Sequence, residues 1–338
     1  MRSIPDSCVR LMTASILLCV GLLLGNASSV ESTGARLRLA TKLVPGQSFR
    51  YRIETHTTST GKIETPIVNP EAGSKSGRTI NLLIRLEVLD PPPNAAADPS
   101  GVRVRATYEE SRSQSEADAL DLDAATLDER YQRLEGHSIE FTLEPDGRVA
   151  GFEGLEDVLP NRDDTEPALS WARGLSAGGG LPEEGIVIRQ RWRKERILTG
   201  LPLNDVVWRA ESTYLRDEPC HTTAAGNAAQ AGPAPAMCAV ILTRFDVARR
   251  GPGSSDATPD EYRRNGLRTS GSWAGSGQSL DSISIATGLL VRSTQTSMQK
   301  MDYLITSASS GSSIHHTGEV QTRSEITLVN AASAATRP

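Results

Sequence analysis

Period-two alternation is the feature that most limits what this chain can fold into. In Ser48–Thr55 the residues Phe49, Tyr51 and Ile53 share one side while Arg50, Arg52 and Glu54 take the other. Ile80–Val88 repeats the pattern with Ile80, Leu82, Ile84, Leu86 and Val88, and Val102, Val104, Ala106 and Tyr108 alternate with Arg103, Arg105 and Glu109. Ile139, Phe141 and Leu143 alternate with Glu140 and Glu144, and Ile186, Ile188 and Trp192 with Arg189, Arg191 and Arg193. Successive side chains on a strand point to opposite faces, so such runs predict antiparallel sheet with one covered face and one wet face. Val206–Arg216, Ala239–Val247 and Glu319–Val329 add further strands. Helical spacing is confined to Ala124–Leu134, Thr165–Leu175 and a capping-box start at Thr258-Pro259-Asp260-Glu261.

The order of these features repeats. Val44-Pro45-Gly46 leads into the Phe49 strand as Leu181-Pro182-Glu183-Glu184-Gly185 leads into the Ile186 strand. Asp146-Gly147 turns into Val149 as Thr287-Gly288 turns into Leu289. Gly46 and Gly185 lie 139 residues apart, Gly147 and Gly288 141. The near-equal offsets predict an internal duplication: a first β-rich half over 36–155, a connecting helix and Gly linker over 156–180, and a second β-rich half over 181–330. Asp90 and Asp217 are only 127 residues apart, so loop lengths differ between the halves. Residues 331–338 are expected to be a disordered tail. The expected fold class is therefore mainly β: duplicated curved antiparallel sheets, half-barrel or sandwich-like, with a few short helices.

The amino terminus reads as an export signal. Arg2 and Arg10 precede an apolar run from Leu11 to Leu24, followed by Gly25, Ala27, Ser28 and Ser29. That order matches a secretory signal peptide over 1–27, cut after Ala27 or Ser29, and the run is short for a membrane span. Leu18 before Cys19 argues against lipidation. The expected location is exported, periplasmic or extracellular. Cys8 and Cys19 leave with the signal, which makes Cys220 and Cys238 a pair in an oxidising compartment. A disulfide between them would pin the Ala/Gly/Pro-rich hairpin His221–Met237. A metal site from Cys220, His221 and Cys238 is the sharper alternative and lacks a fourth ligand.

Composition narrows the function classes. With 36 Lys+Arg against 41 Asp+Glu the net charge is −5, which gives no electrostatic case for nucleic acid or an anionic membrane as the main partner. The 4 Phe, 4 Trp and 6 Tyr are too few for a broad stacking platform. Charges on the polar strand faces are mixed, as cross-strand ion pairs require. No H-E-x-x-H or H-x-H spacing occurs among His56, His137, His221, His315 and His316. Gly271-Ser272-Trp273-Ala274-Gly275 has Trp where a nucleophile elbow needs Ser, and both S-x-x-K matches, from Ser59 and Ser297, lack companion motifs. The acidic residues between Glu116 and Glu129 lack the order and turn glycine of a calcium loop. No catalytic, cofactor or metal residue is assigned.

"LVPGQSFRYRIE" (43–54), the Asp146-Gly147 turn and "TGLLVRSTQTSM" (287–298) resemble exported bacterial proteins of uncharacterised families in which two β-rich halves follow a signal peptide. The resemblance spans 36–330 and implies export and a duplicated antiparallel fold; it carries over no catalytic residue. The expected role is a non-enzymatic cell-envelope or periplasmic protein with an apolar small molecule or an envelope protein as partner, and no stable membrane span after signal removal. Long sheets with one apolar face resemble the half-barrels of periplasmic lipid carriers at the level of fold. A structural or assembly partner acting through protein–protein contacts is the alternative. A hydrolase is third, and would need His137 beside a Ser and a carboxylate in one cleft.

Overall fold

The structure is a computed structural model, and it describes residues 36–64, 73–91, 101–117, 122–155, 169, 171–176, 180–220, 236–250 and 257–332. The expected signal peptide and most of the three Ala/Gly/Pro-rich loops lie outside the described residues. Eleven strands run in chain order: β1 (Ser48–Glu64), β2 (Gly73–Val88), β3 (Val102–Ala117), β4 (Ser138–Leu143), β5 (Val149–Glu153), β6 (Arg191–Ile197), β7 (Val206–Pro219), β8 (Met237–Arg249), β9 (Leu267–Ser284), β10 (Leu290–Ser307) and β11 (Ser313–Ala332). Helix α1 (Leu122–Leu134) lies between β3 and β4, and the short α2 (Asp260–Arg264) between β8 and β9. All eleven strands belong to one antiparallel sheet in the order β5-β4-β3-β2-β1-β11-β10-β9-β8-β7-β6, which does not close into a barrel. A single sheet excludes the two-sheet sandwich form of the expectation.

The elements over 48–153 read βββαββ and those over 191–332 read βββαβββ. Gly46, Gly185, Gly147 and Gly288, the four glycines whose offsets repeat, all take positive φ, between 72° and 84°. Only glycine enters that region at no steric cost. The two sets of strands meet where β1 pairs with β11, from Ser48↔Ala332 to Glu64↔His315 with one register shift between Arg50 and Tyr51. β11 thus runs two residues past the point where the tail was expected to begin.

Alternation puts the core on one face. Tyr51, Ile84, Tyr108 and Phe141 from β1–β4 are buried there with Tyr131 and Leu134 of α1 and with Leu169, Trp171 and Leu175. The Asp128 carboxylate fixes α1 on β3 by accepting from the Ser113 hydroxyl at 2.5 Å and from the Ser115 N–H and hydroxyl, both at 2.9 Å. A bulge in β3 lets Leu83 face Glu110 and Ile84 face Tyr108. The opposite face carries ion pairs: Arg50 and Arg85 meet Glu109, Arg103 and Arg105 meet Glu140, and Arg193 meets Glu211. These exposed pairs are worth at most about 1 kcal/mol each and keep the wet face soluble.

Three sequence expectations change. Strand β6 begins at Arg191 rather than near Ile186, because Arg189 takes φ 69° and turns the chain. The N-terminal residue of α2 is capped from Pro259 with no side-chain bond. The Thr258 hydroxyl instead accepts the Thr269 N–H at 2.9 Å and ties α2's entry to β9. Finally, β9 and β10 are 18 residues each, about 60 Å of extended chain, where the sequence offers only the Thr287-Gly288 turn into Leu289.

Candidate functional site

The same face that holds the core continues across β6–β10 as a cleft of about 270 Å³. Strand register builds its floor in two rows. One runs Ile241, Asp281, Ser293 and Ile326 across β8–β11; the next runs Trp192, Ser212, Thr243, Ser279 and Gln295 across β6–β10. Trp208 and Lys194 extend the β7–β6 side. The cover is the stretch around Gly174–Ser176 with Gly180 and Leu181.

That cover is bonded in place. The Leu290 N–H donates to Leu175 O at 2.8 Å, Ser176 Oγ donates to Gly147 O at 2.5 Å, and Trp192 Nε1 donates to Gly180 O at 2.8 Å. Trp171 Nε1 reaches the Tyr108 hydroxyl at 3.1 Å, and Tyr51 OH donates to Leu290 O at 2.7 Å. Burial pushes both tyrosine hydroxyls far above the usual phenol range, so they remain neutral donors.

Asp281 is the distinctive group on the floor. Its carboxylate accepts Ser279 Oγ at 2.9 Å and Ser293 Oγ at 2.5 Å, and no Lys, Arg or His pairs with it among the described residues. Desolvation raises its pKa, and the two hydroxyls pull partly back. Lys194 stands at the exposed rim. Desolvation lowers its pKa, and the Asp146 charge on the β4–β5 turn opposes that shift. Asp146 itself is held by Arg148 at 2.7 Å, and the one anion among the floor residues, Asp281, has only hydroxyl partners.

The cleft mixes indoles and aliphatic side chains with hydroxyls. Beyond it, along β1, β2 and β11, the covered face turns to hydroxyl pairs: Thr55–Ser324 at 2.9 Å and Ser59–Ser76 at 2.7 Å. A stacked ladder of Trp273, Tyr303 and His316 lies further along, with ring centroids 6.4 and 4.9 Å apart.

Cys220 and Cys238 form the expected disulfide, with Cα atoms 5.0 Å apart and Cys238 fully buried. The groups weighed for chemistry do not converge. His137 is exposed in the turn after α1, and His315 bonds Asp302 at 2.8 Å at the far end of the long strands. Lys62 and Lys300 pair with Glu64 and Glu319; on a strand, a residue three positions from a Ser faces the other way. Sequence reasoning passed over Asp281. Its signal was there: Ile283 is a core position, and a residue two places before it on a strand must share that face.

The fold and cleft define an open, single-sheet antiparallel β protein with a covered, amphipathic recess. No family model matches the chain, and no curated protein matches it. Among solved structures, the crystal structure of the outer membrane protein OprG from Pseudomonas aeruginosa is similar over 83% of this chain and 96% of that one. At 7% identity and a TM-score of 0.13 that likeness carries no argument. Among the described residues no helix is long and apolar enough to cross a membrane.

Proposed function

We propose that the chain is an exported, non-enzymatic cell-envelope protein that holds an amphipathic small molecule in the cleft between β6–β10 and the cover formed by Gly174–Ser176, Gly180 and Leu181. The observation that carries this reading is the cleft's lining: Trp192, Trp208, Ile241 and Leu290 supply apolar surface, and Ser212, Thr243 and Ser279 supply oriented hydroxyls. Concave, mostly apolar sites with a few placed polar groups are what small-molecule binding needs. Export is supported by the signal pattern in 1–27 and by the disulfide, which persists outside reducing compartments. The repeated element order and the four matching glycine turns support two related halves, 36–155 and 181–330, joined through 156–180.

The competing reading is assembly through the open edges β5 and β6. Strand β6 is seven residues, with Arg193 and Glu195 held in ion pairs, the short and charged kind of edge that discourages strand addition. Protein purified from its native host and extracted into organic solvent should release a co-purifying amphiphile detectable by mass spectrometry. An empty extract, together with intrinsic tryptophan fluorescence indifferent to added amphiphiles, would overturn the reading.

A further inference from the structure

We infer that the ligand carries an ammonium group and that Asp281 is its counter-ion. The inference rests on the binding reading above and adds the charge and donor chemistry of the ligand. A half-buried carboxylate such as Asp281 is costly to keep charged unless it is paired. Asp281 has two serine hydroxyls and no cation. A carboxylate has about four acceptor positions, of which the serines take two. The remaining positions face the cleft, so an N–H-bearing cation entering there meets vacant acceptors and an uncompensated charge.

Two neighbours sharpen the choice. Lys194 at the exposed rim would attract an anion, but desolvation disfavours its charged form, whereas Asp281 lies on the floor. The Trp208 ring already carries the Arg196 guanidinium 4.9 Å from its centroid, which leaves the Trp192 indole in the same cleft to meet an organic cation as well as an apolar chain. Trp192 is held by its bond to Gly180 O, so its ring is positioned before any ligand arrives. A protonated primary or secondary amine on an apolar body satisfies the carboxylate, the indole and the aliphatic wall together. A quaternary ammonium satisfies the indole but donates no hydrogen bond.

The test is isothermal titration of the exported protein with n-octylammonium chloride, n-octyltrimethylammonium chloride, n-octanol and sodium n-octyl sulfate, repeated with Asp281→Asn and Asp281→Glu. Octylammonium should bind tightest, and Asp281→Asn should weaken it about tenfold, the size of one charge-assisted bond. Octanol, whose single O–H can also reach the carboxylate, should lose far less than octylammonium in Asp281→Asn, and its remaining binding shows that the cleft survives the substitution. Asp281→Glu keeps the charge and should keep the preference for octylammonium over octanol. Equal binding of octanol and octylammonium to the parent would overturn the ammonium assignment while leaving the cleft as a binding site. Octyl sulfate as the preferred ligand would overturn it in favour of Lys194. No heat from any of the four would overturn the binding reading itself.

Discussion

Breaking the Cys220–Cys238 bond tests the hairpin reasoning most directly. The two residues are 18 apart in sequence and join the facing ends of β7 and β8. Closing a ring of that size in the unfolded chain removes entropy worth about 3 kcal/mol. For a folded part of roughly 300 residues, unfolding entropy of about 2.1 cal/mol/K per residue turns that into a Tm loss of about 5 °C. Cys238 is fully buried beside the core and Cys220 is only partly buried. Cys220→Ser therefore isolates the cross-link, and Cys238→Ala adds a packing loss of about 1 kcal/mol or more. Differential scanning calorimetry of a chain beginning at Arg36, with and without dithiothreitol, reads both effects. Reductant should lower the parent's Tm to that of Cys220→Ser and leave Cys220→Ser unmoved. A parent Tm insensitive to reductant would refute the reasoning, as would a reductant effect that persists in Cys220→Ser.

Other substitutions probe separate parts of the molecule. Gly288 has φ 72°, and a Cβ there would lie 2.3 Å from Ala40 O. Gly288→Ala should cost about 2 kcal/mol in urea denaturation and loosen the 36–44 segment, visible as faster amide exchange at Lys42, whose N–H donates to Thr287 O. Asp128→Ala removes three accepted bonds between α1 and β3 and should cost about 2 kcal/mol at neutral pH. Burial works to raise this carboxyl, but the Ser113 and Ser115 bonds hold its pKa below the usual value. The parent's advantage over the variant should therefore fade as pH falls through that lowered pKa. Asp281 runs the other way. Its pKa is raised by desolvation, so its contribution is full below the unfolded value and is lost as pH rises through the folded one. Asp281→Asn should melt above the parent at pH 8, with the gap closing toward pH 4; a variant that melts lower at pH 8 would mark Asp281 as structural.

The part of the fold legible in the sequence was the part that uses apolar contrast. Phe49, Tyr51 and Ile53 stand out against Arg50, Arg52 and Glu54, and each lies on the face expected of it. The outer halves of the long strands were not legible, because their covered positions are Thr55, Thr57 and Ser59 opposite Ser324, Thr322 and Val320. Hydroxyls facing hydroxyls leave no hydrophobic period to read. Gly271–Gly275, which shows no apolar alternation in the sequence, lies within β9, and a Cβ at nearby Gly277 would lie 2.3 Å from the Phe245 ring. Glycine there makes room for an aromatic neighbour on the next strand. The charged lattice was legible in kind but not in pairing: the β3 bulge brings Glu109 within reach of both Arg50 and Arg85. The cleft was invisible because its walls come from six strands and a cover that only the complete sheet brings together.

The pairing of β1 with β11 has a consequence for how the chain is made. These strands lie more than 260 residues apart at their hydroxyl–hydroxyl contacts, Thr55 with Ser324 being 269 apart. While the chain is being made, β1–β5 can assemble early, but their sheet ends in a bare 17-residue border until β11 arrives. Local hairpins form in microseconds, whereas so distant a closure is slow and exposes the waiting border to other chains. The seam at the centre of the sheet is thus the last to zip, and an arrested or truncated chain lacking β11 is the form most in need of a chaperone. Joining residue 332 to Arg36 by a linker, which keeps the bonded 36–47 segment, and opening the chain between β5 and β6 would bring the slowest contact close in sequence.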